Sequence, residues 1–324
     1  MKWIKKDVIF SPDHNYDWMV SHASVPITDK FQAGLLRIYF GTRDSNGRSH
    51  TSYIEVEAAR PDNVRYIHNQ PIVPLGRAGA FDESGIMPSW IINEKNRKYL
   101  YYIGWSQQVT VPYHLAIGLA ISEDDGQTFH KFSEGPLFDR SPEQPFFNTA
   151  PCVMIEGDKW RMWYVSCTEW EMVNGLLEPR YRVVYGESSD GICWSQNRRI
   201  CIDYDDTTGA IGRPCVYKEG GIYKMLYSHR SIRGYRSERS QSYRLGYAES
   251  PDGLDWTRRD DEVGIERSET GWDSEMMEYC SLYKHEGRSF LLYNGNGFGK
   301  TGIGYAVLND TAESHTLLDR QSGS

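Results

Sequence analysis

Across 324 residues the chain carries 44 acidic against 36 basic side chains, a net charge of −8 with His neutral. That balance argues against nucleic acid or an anionic membrane surface as a partner. No segment has the apolar length of a secretory signal or a membrane span, so the expected compartment is the cytoplasm.

Residues 3–10, WIKKDVIF, read as a strand that resembles residues 129–138 and 194–202 further along the chain. From there five short segments recur: His22-Ala23-Ser24-Val25, Met87-Pro88-Ser89-Trp90, Ala150-Pro151-Cys152-Val153, Arg213-Pro214-Cys215-Val216 and Glu278-Tyr279-Cys280-Ser281. Their third residues are 65, 63, 63 and 65 positions apart. A repeat of this size that fills a chain is the signature of a propeller or solenoid. About a dozen residues after each marker comes a second apolar, aromatic-rich run: 36–40, 99–103, 161–165, 223–227 and 289–293. A third run alternates small or apolar with polar residues over 114–122, 182–188, 244–250 and 301–308, as a half-buried strand does. Three of these third runs lead into Asp125-Gly126, Asp190-Gly191 and Asp252-Gly253, each followed by an aromatic residue. Asp-Gly supplies the positive backbone angles of a hairpin turn, and the aromatic opens a fourth strand.

Four strands in each of five units predict an all-β, five-bladed β-propeller with four-stranded blades. The fifth unit stops near Leu308 without a turn or fourth strand. Residues 3–10 are the expected replacement, closing the last blade from the N-terminus and leaving no open edge in the ring. A single domain is expected over residues 1–308, since no Pro/Gly/Ser-rich linker interrupts the repeat, with a polar, disordered tail over 309–324. Cys152, Cys215 and Cys280 occupy repeat positions held elsewhere by Ser24 and Ser89, and Cys167, Cys193 and Cys201 show no CxxC spacing. All six are expected to be free thiols. No cofactor and no metal ligand set is expected.

In such a blade the first strand begins, and the second ends, on one face. The Asp-Gly turns lie on the other, and their likeness to the Asp-box of sialidases reads as turn geometry. The front face collects residues that differ between units. Two positions before the markers stand His22, Met87, Ala150, Arg213 and Glu278; at the second-strand ends stand Arg43 with Asp44, Trp105, Glu169 with Trp170, His229 with Arg230, then Asn294 and Asn296. Carboxylates, guanidinium groups, amides and indoles converging on a concave surface form an inventory for binding polyols. Three aromatic-Asp pairs, Tyr16-Asp17, Phe81-Asp82 and Trp272-Asp273, each set the Asp seven residues before a marker. Repetition favours a structural role, with the Asp capping a loop through backbone amides.

With its five repeats, closing N-terminal strand, Arg43-Asp44 pair and carboxylates at inner strand starts, the chain resembles the five-bladed glycoside hydrolases of the invertase, arabinanase and mannoside-phosphorylase kind. The resemblance implies a pair of carboxylates on different blades, one protonating the leaving oxygen while the other attacks or activates water. The Asn-Asp-Pro and Glu-Cys signatures of the invertase branch are absent, and blades one and three offer His22 and Ala150 where acids are expected. On this basis Asp44, Glu278 and Glu169 are the catalytic candidates. His22, Arg43, Trp105, Arg213, His229, Arg230, Asn294 and Asn296 are the substrate-binding candidates, for a carbohydrate or sugar-nucleotide ligand. Arg213 is expected beside Glu278, lowering its pKa and making it a base or nucleophile rather than the acid. A non-catalytic glycan or nucleotide-sugar binding propeller serving glycan biosynthesis is the alternative. A six-bladed sialidase with Arg43, Arg213 and Arg230 as a carboxylate clamp is the third reading.

Overall fold

The computed structural model describes residues 1–309, except for the side chains of residues 196–198. The expected tail from residue 310 onward lies outside the described residues. Strand β1 (Trp3–Phe10) is followed by β2 (Ser21–Gln32), β3 (Leu35–Arg43), β4 (Ser49–Glu57) and β5 (Arg60–Ile67). A second group follows as β6 (Gly85–Glu94), β7 (Arg97–Gln107), β8 (Tyr113–Ser122) and β9 (His130–Lys131). The third is β10 (Asn148–Glu156), β11 (Lys159–Val173), β12 (Leu176–Ser188) and β13 (Trp194–Ile202); the fourth is β14 (Ala210–Glu219), β15 (Ile222–Arg230), β16 (Arg244–Ser250) and β17 (Thr257–Arg258). The last group is β18 (Glu278–His285), β19 (Arg288–Asn294) and β20 (Ile303–Leu308). Within each group successive strands pair antiparallel, and single parallel bridges, Ser49 with Gly85 and Tyr181 with Ala210, join the first group to the second and the third to the fourth. Among the described residues no helix is long and apolar enough to cross a membrane. All six cysteines are free.

The N-terminal strand joins the last group. Trp3, Ile4 and Lys5 of β1 pair antiparallel with Leu308, Val307 and Ala306 of β20, so this sheet runs β1-β20-β19-β18. Trp3 also donates its indole N–H to the Val263 carbonyl at 3.0 Å.

Two fourth strands are shorter than their sequence suggests. After Phe129 only His130–Lys131 pairs with β8, with Phe138 returning to Ile117 as an isolated bridge; the intervening Ser133-Glu134-Gly135-Pro136 cannot continue a ladder. After Trp256 only Thr257–Arg258 pairs with β16, because Asp260 Oδ1 accepts the Tyr247 N–H at 3.1 Å where a strand carbonyl would otherwise stand.

The Asp-Gly turns tie groups together. Asp124, Asp190 and Asp252 each accept two backbone amides of the following residues through Oδ1, at 2.8–3.1 Å. The carbonyls of Gly126, Gly191 and Gly253 then accept Tyr39 Oη (3.1 Å), Tyr101 Oη (2.7 Å) and Trp163 Nε1 (2.8 Å) from the preceding group. The aromatic-Asp pairs hold the fold differently from the expected backbone cap. Asp82 accepts Tyr102 Oη at 2.9 Å and Lys131 Nζ at 2.6 Å, and Asp273 accepts Tyr293 Oη at 3.0 Å and Lys5 Nζ at 2.7 Å. Asp17 is exposed. Asp82 and Asp273 each face a buried strand tyrosine, which explains why side chains rather than amides became their donors.

Each first strand is bulged near its start. Register shifts fall between Ser21 and Ser24, Pro88 and Trp90, Thr149 and Cys152, Gly212 and Cys215, and Glu278 and Ser281. His22, Val25, Ala150, Arg213 and Tyr279 adopt positive φ there (64°, 52°, 49°, 28° and 54°), a conformation uncommon outside glycine. Such bulges re-aim side chains. The Arg213 guanidinium consequently runs along the strand starts: Nη1 donates to the Cys280 carbonyl (2.6 Å) and Nη2 to those of Ser89 (3.0 Å) and Pro26 (3.4 Å). One fully buried cation thereby links four groups. Arg213→Ala is expected to cost about 3 kcal/mol, because buried carbonyls lose charge-assisted donors. Arg213→Lys should restore less than half, lacking the fork that reaches several acceptors. Urea unfolding measures both; a midpoint unchanged in the Ala variant would remove this role.

Candidate functional site

A cavity of ≈ 320 Å³ opens among the bulged strand starts and second-strand ends. One wall is aromatic. Trp105 from β7 packs on Tyr113 from β8 with ring centroids 4.9 Å apart, and Trp170 from β11 meets Tyr113 at 5.2 Å and Phe147 at 5.8 Å. Trp105 Nε1 is buried without a hydrogen-bond partner among the described residues. Such rings cover the C–H faces of a sugar.

A second part of the lining is cationic and phenolic. Arg230, at the end of β15, donates from Nε to Tyr243 Oη (3.1 Å), from Nη1 to the Ser231 carbonyl (3.0 Å) and from Nη2 to the Pro179 carbonyl (3.0 Å). Its guanidinium lies 3.8 Å from the centre of the Tyr235 ring, a cation–π contact strengthened by desolvation. Tyr243 and Tyr181 share a hydrogen bond between their hydroxyls. Arg236 donates to Glu178 from Nε (2.9 Å) and Nη2 (3.3 Å), while Tyr235 Oη donates to the same carboxylate at 2.6 Å. Burial alone would raise the Glu178 pKa, but these bonds outweigh it and lower it.

Glu278 starts β18 and has no exposed surface. Asn294, its partner across the sheet, donates from Nδ2 to Glu278 Oε1 at 3.2 Å and accepts the Val25 N–H through Oδ1 at 3.1 Å. Oε2 has no partner. Burial pushes the Glu278 pKa up to about 8, against the opposing pull of Asn294, Arg230, Arg43 and Arg236. This reverses the expected direction, for a geometric reason: Arg213 spends its guanidinium on backbone carbonyls, and the pull of the other arginines is weaker than the effect of burial. Near neutral pH Glu278 is largely protonated.

Arg43 ends β3 and lines the cavity. Burial lowers its pKa and Glu278 opposes this. His22 stands near it, its pKa pushed down to about 4 by burial and by the charges of Arg43 and Lys300, so it is neutral. The cavity thus brings together Arg43, Trp105, Arg213 and Arg230 among the sequence candidates; Glu278 and Asn294 are fully buried and do not line it, but adjoin the lining residues Tyr279 and Val25.

The other candidates lie elsewhere. Asp44 does not pair with Arg43: it accepts Arg48 Nε at 2.9 Å, the amides of Asn46 and Arg48 at 2.9 Å each, and faces His50 Nε2 at 3.2 Å. That set closes the β3–β4 turn and occupies both oxygens. Glu169 is exposed and pairs with Arg180 at 3.4 Å, because a register shift after Cys167 turns the end of β11 outward. His229 lines a separate, wider cavity with Arg244, Arg258 and Asp260; burial and Arg244 take its pKa down to about 4. Asn296 braces a loop, accepting the amides of Glu275 and Met276 and donating to the Gly271 carbonyl. Among the described residues no three His, Cys, Asp or Glu side chains are grouped to hold a metal ion.

Sequence reading missed Glu178, Tyr235, Arg236, Tyr243, Tyr279 and Phe298. Tyr279 had a signal, standing where three other units carry Pro88, Pro151 and Pro214. Glu178 had a weaker one, the long hairpin of β11 and β12 that outreaches its counterparts. The rest come from the segment between β15 and β16 and from the turn after β19, which have no equivalent in the repeat.

No protein-family model matches the chain. Solved structures share its fold: a glycoside hydrolase (TM-score 0.72, 19% identity, covering 94% of this chain and 91% of that one) and a thermostable family-43 glycoside hydrolase (0.66, 18%, 91% and 93%). A structure from the GH130 family of mannoside phosphorylases, described as containing glycoside hydrolases that target β-1,2 mannosidic linkages in Candida mannan, aligns with a TM-score of 0.65 at 14% identity over 95% and 94%. The chain therefore has the propeller fold of glycoside hydrolases. Two Mycobacterium tuberculosis proteins, Uncharacterized protein MT1551 and Uncharacterized protein Rv1502, are 36% and 35% identical to it over 311 residues, 96% of this chain and 100% of each relative. At that identity along nearly its whole length, the chain belongs to the family of MT1551 and Rv1502.

Proposed function

We propose that this protein cleaves or transfers a glycosyl group in the cavity between its strand starts, with Glu278 as the proton donor. The observation that carries the reading is the Glu278 carboxyl group, fully buried, one oxygen unpartnered and its pKa pushed up to about 8. A general acid must hold its proton at working pH and release it to the leaving oxygen. Glu178 supplies the contrasting group, kept ionised by Arg236 and Tyr235. Two carboxyl groups whose environments drive their pKa values apart are the usual division of acid and base. Asn294 orients Glu278, and Trp105 and Tyr279 supply faces for a sugar ring, with Trp170 packed behind Tyr113 and Phe147. The glycoside hydrolases and mannoside phosphorylases that share the fold support a carbohydrate ligand. In this reading the five strand groups are the blades of one ring, residues 1–308 form a single domain, and the protein works in the cytoplasm.

A second reading, a sugar-binding propeller without turnover, draws on one observation: Glu178 is already engaged by Arg236 and Tyr235, which leaves Glu278, among the described residues, as the carboxyl group near the cavity with no cation bonded to it. Assaying the wild type on a panel of aryl glycosides, with calorimetry of free sugars alongside, separates the two. Turnover supports the enzyme; sugar binding with no turnover on any glycoside supports the binding module and ends the first reading.

A further inference from the structure

We propose that the sugar recognised in this cavity carries a negative charge, a carboxylate or a phosphate ester, held by Arg43 and Arg230. The inference rests on the carbohydrate reading above and adds the substrate class.

Four guanidinium groups, Arg43, Arg213, Arg230 and Arg236, line the cavity, against two nearby carboxyl groups, Glu178 bonded to Arg236 and Glu278 buried next to the lining residue Tyr279. Arg213 is spent on backbone carbonyls. Even with both acids ionised, positive charge is in excess. The excess is localised. Arg236 is matched by Glu178 through two hydrogen bonds, whereas every acceptor of Arg230 is neutral, a phenol and two backbone carbonyls. The Arg43 guanidinium has no hydrogen bond or ion pair among the described residues; burial and the field of Glu278 are what act on it. Nearby His22 and Lys300 add no negative charge. In a chain whose net charge is −8, a desolvated pocket holding unneutralised cations is costly unless something anionic offsets it.

The geometry suits such a ligand. Arg230 is clamped by its three acceptors and by the Tyr235 ring, so its charge is fixed in place. Arg43 retains its planar fork of donors, which matches the two oxygens of a carboxylate or phosphate. The aromatic wall lowers the local dielectric and strengthens the attraction. Neutral hydroxyls alone leave that charge unmatched.

Calorimetric titration of the wild type with methyl glucoside, methyl glucuronide and glucose 1-phosphate, and with the galactose counterparts, tests this, with inorganic phosphate as a further titrant. At least one anionic series is expected to bind tenfold or more tightly than its neutral parent, and which series does so tells carboxylate from phosphate. Arg43→Gln should reduce that ratio about tenfold, and Arg43→Lys should keep part of it, which excludes simple misfolding. Equal binding of neutral and charged sugars overturns this inference and leaves the carbohydrate reading standing. Binding of inorganic phosphate with none of any sugar overturns both.

Discussion

Replacing Glu278 by Gln is expected to lower turnover about a thousandfold while sugar binding survives, since general acid catalysis contributes roughly 10²–10⁴ in rate. The substitution is close to isosteric, and the Asn294 hydrogen bond to Oε1 at 3.2 Å has an equivalent acceptor in the amide. What disappears is the proton on a group without exposed surface. The loss should be smallest for glycosides whose leaving group departs without protonation and largest for alkyl glycosides. In the wild type, activity should fall as pH rises through about 8, the value to which burial pushes Glu278, and that limb should be missing from the residual activity of the Gln variant. Turnover within a few-fold of wild type on alkyl glycosides would end the assignment of Glu278 as the acid.

The same carboxyl group couples stability to pH. Its folded pKa of about 8 exceeds its ordinary 4.5, so the folded chain keeps a proton that the unfolded chain gives up. The stabilisation is complete below pH 4.5 and is lost as pH rises toward 8. Glu278→Gln removes this dependence. Relative to wild type, the variant should gain on the order of a few kcal/mol between pH 5 and pH 8, measurable by urea unfolding at each pH.

Removing residues 1–10 is expected to abolish cooperative folding. Trp3, Ile9 and Phe10 of β1 are buried to 7–8% exposure, and burying side chains of this size contributes about 1.5–3 kcal/mol each. Their combined loss is comparable to the whole stability of an ordinary domain, about 5–15 kcal/mol. The deletion also bares the β20 edge from Ile303 to Leu308, a template for aggregation. The point variant Trp3→Ala should remain folded and lose about 3 kcal/mol. A truncated protein that melts within a few degrees of the full chain would show that β1 does not hold the last sheet closed.

Strand order, the closing role of residues 3–10, the Asp-Gly turns and the unpaired thiols were legible because each is encoded locally. Alternation with a period of two sets which face a strand buries, and a marker recurring every 63–65 residues sets how many times the unit is used. Tyr279, before Cys280, replaces a repeated proline, but that exchange by itself does not say that the ring faces a cavity. Repeat position also identified Glu278 at a first-strand start and Arg43 at a second-strand end. It could not give their partners. Arg213 stands at the same repeat position as Glu278, yet a bulge with φ of 28° sends its guanidinium to carbonyls of three other strand groups. The carboxyl was thereby left desolvated, and its pKa moved up rather than down. Asp44 took Arg48, four residues away, instead of the adjacent Arg43, because a turn can curl back on its own carboxylate while neighbours along a strand point to opposite faces. Tyr235, Arg236, Tyr243 and Phe298 reach the cavity from segments outside the repeat, where no periodicity marks direction. The sequence by itself determined the scaffold, since hydrogen-bonded strands and their turns answer to near neighbours. The contents of the cavity, its protonation and its charge were decided only by tertiary structure, because burial and Coulombic fields depend on which distant segments close around a group.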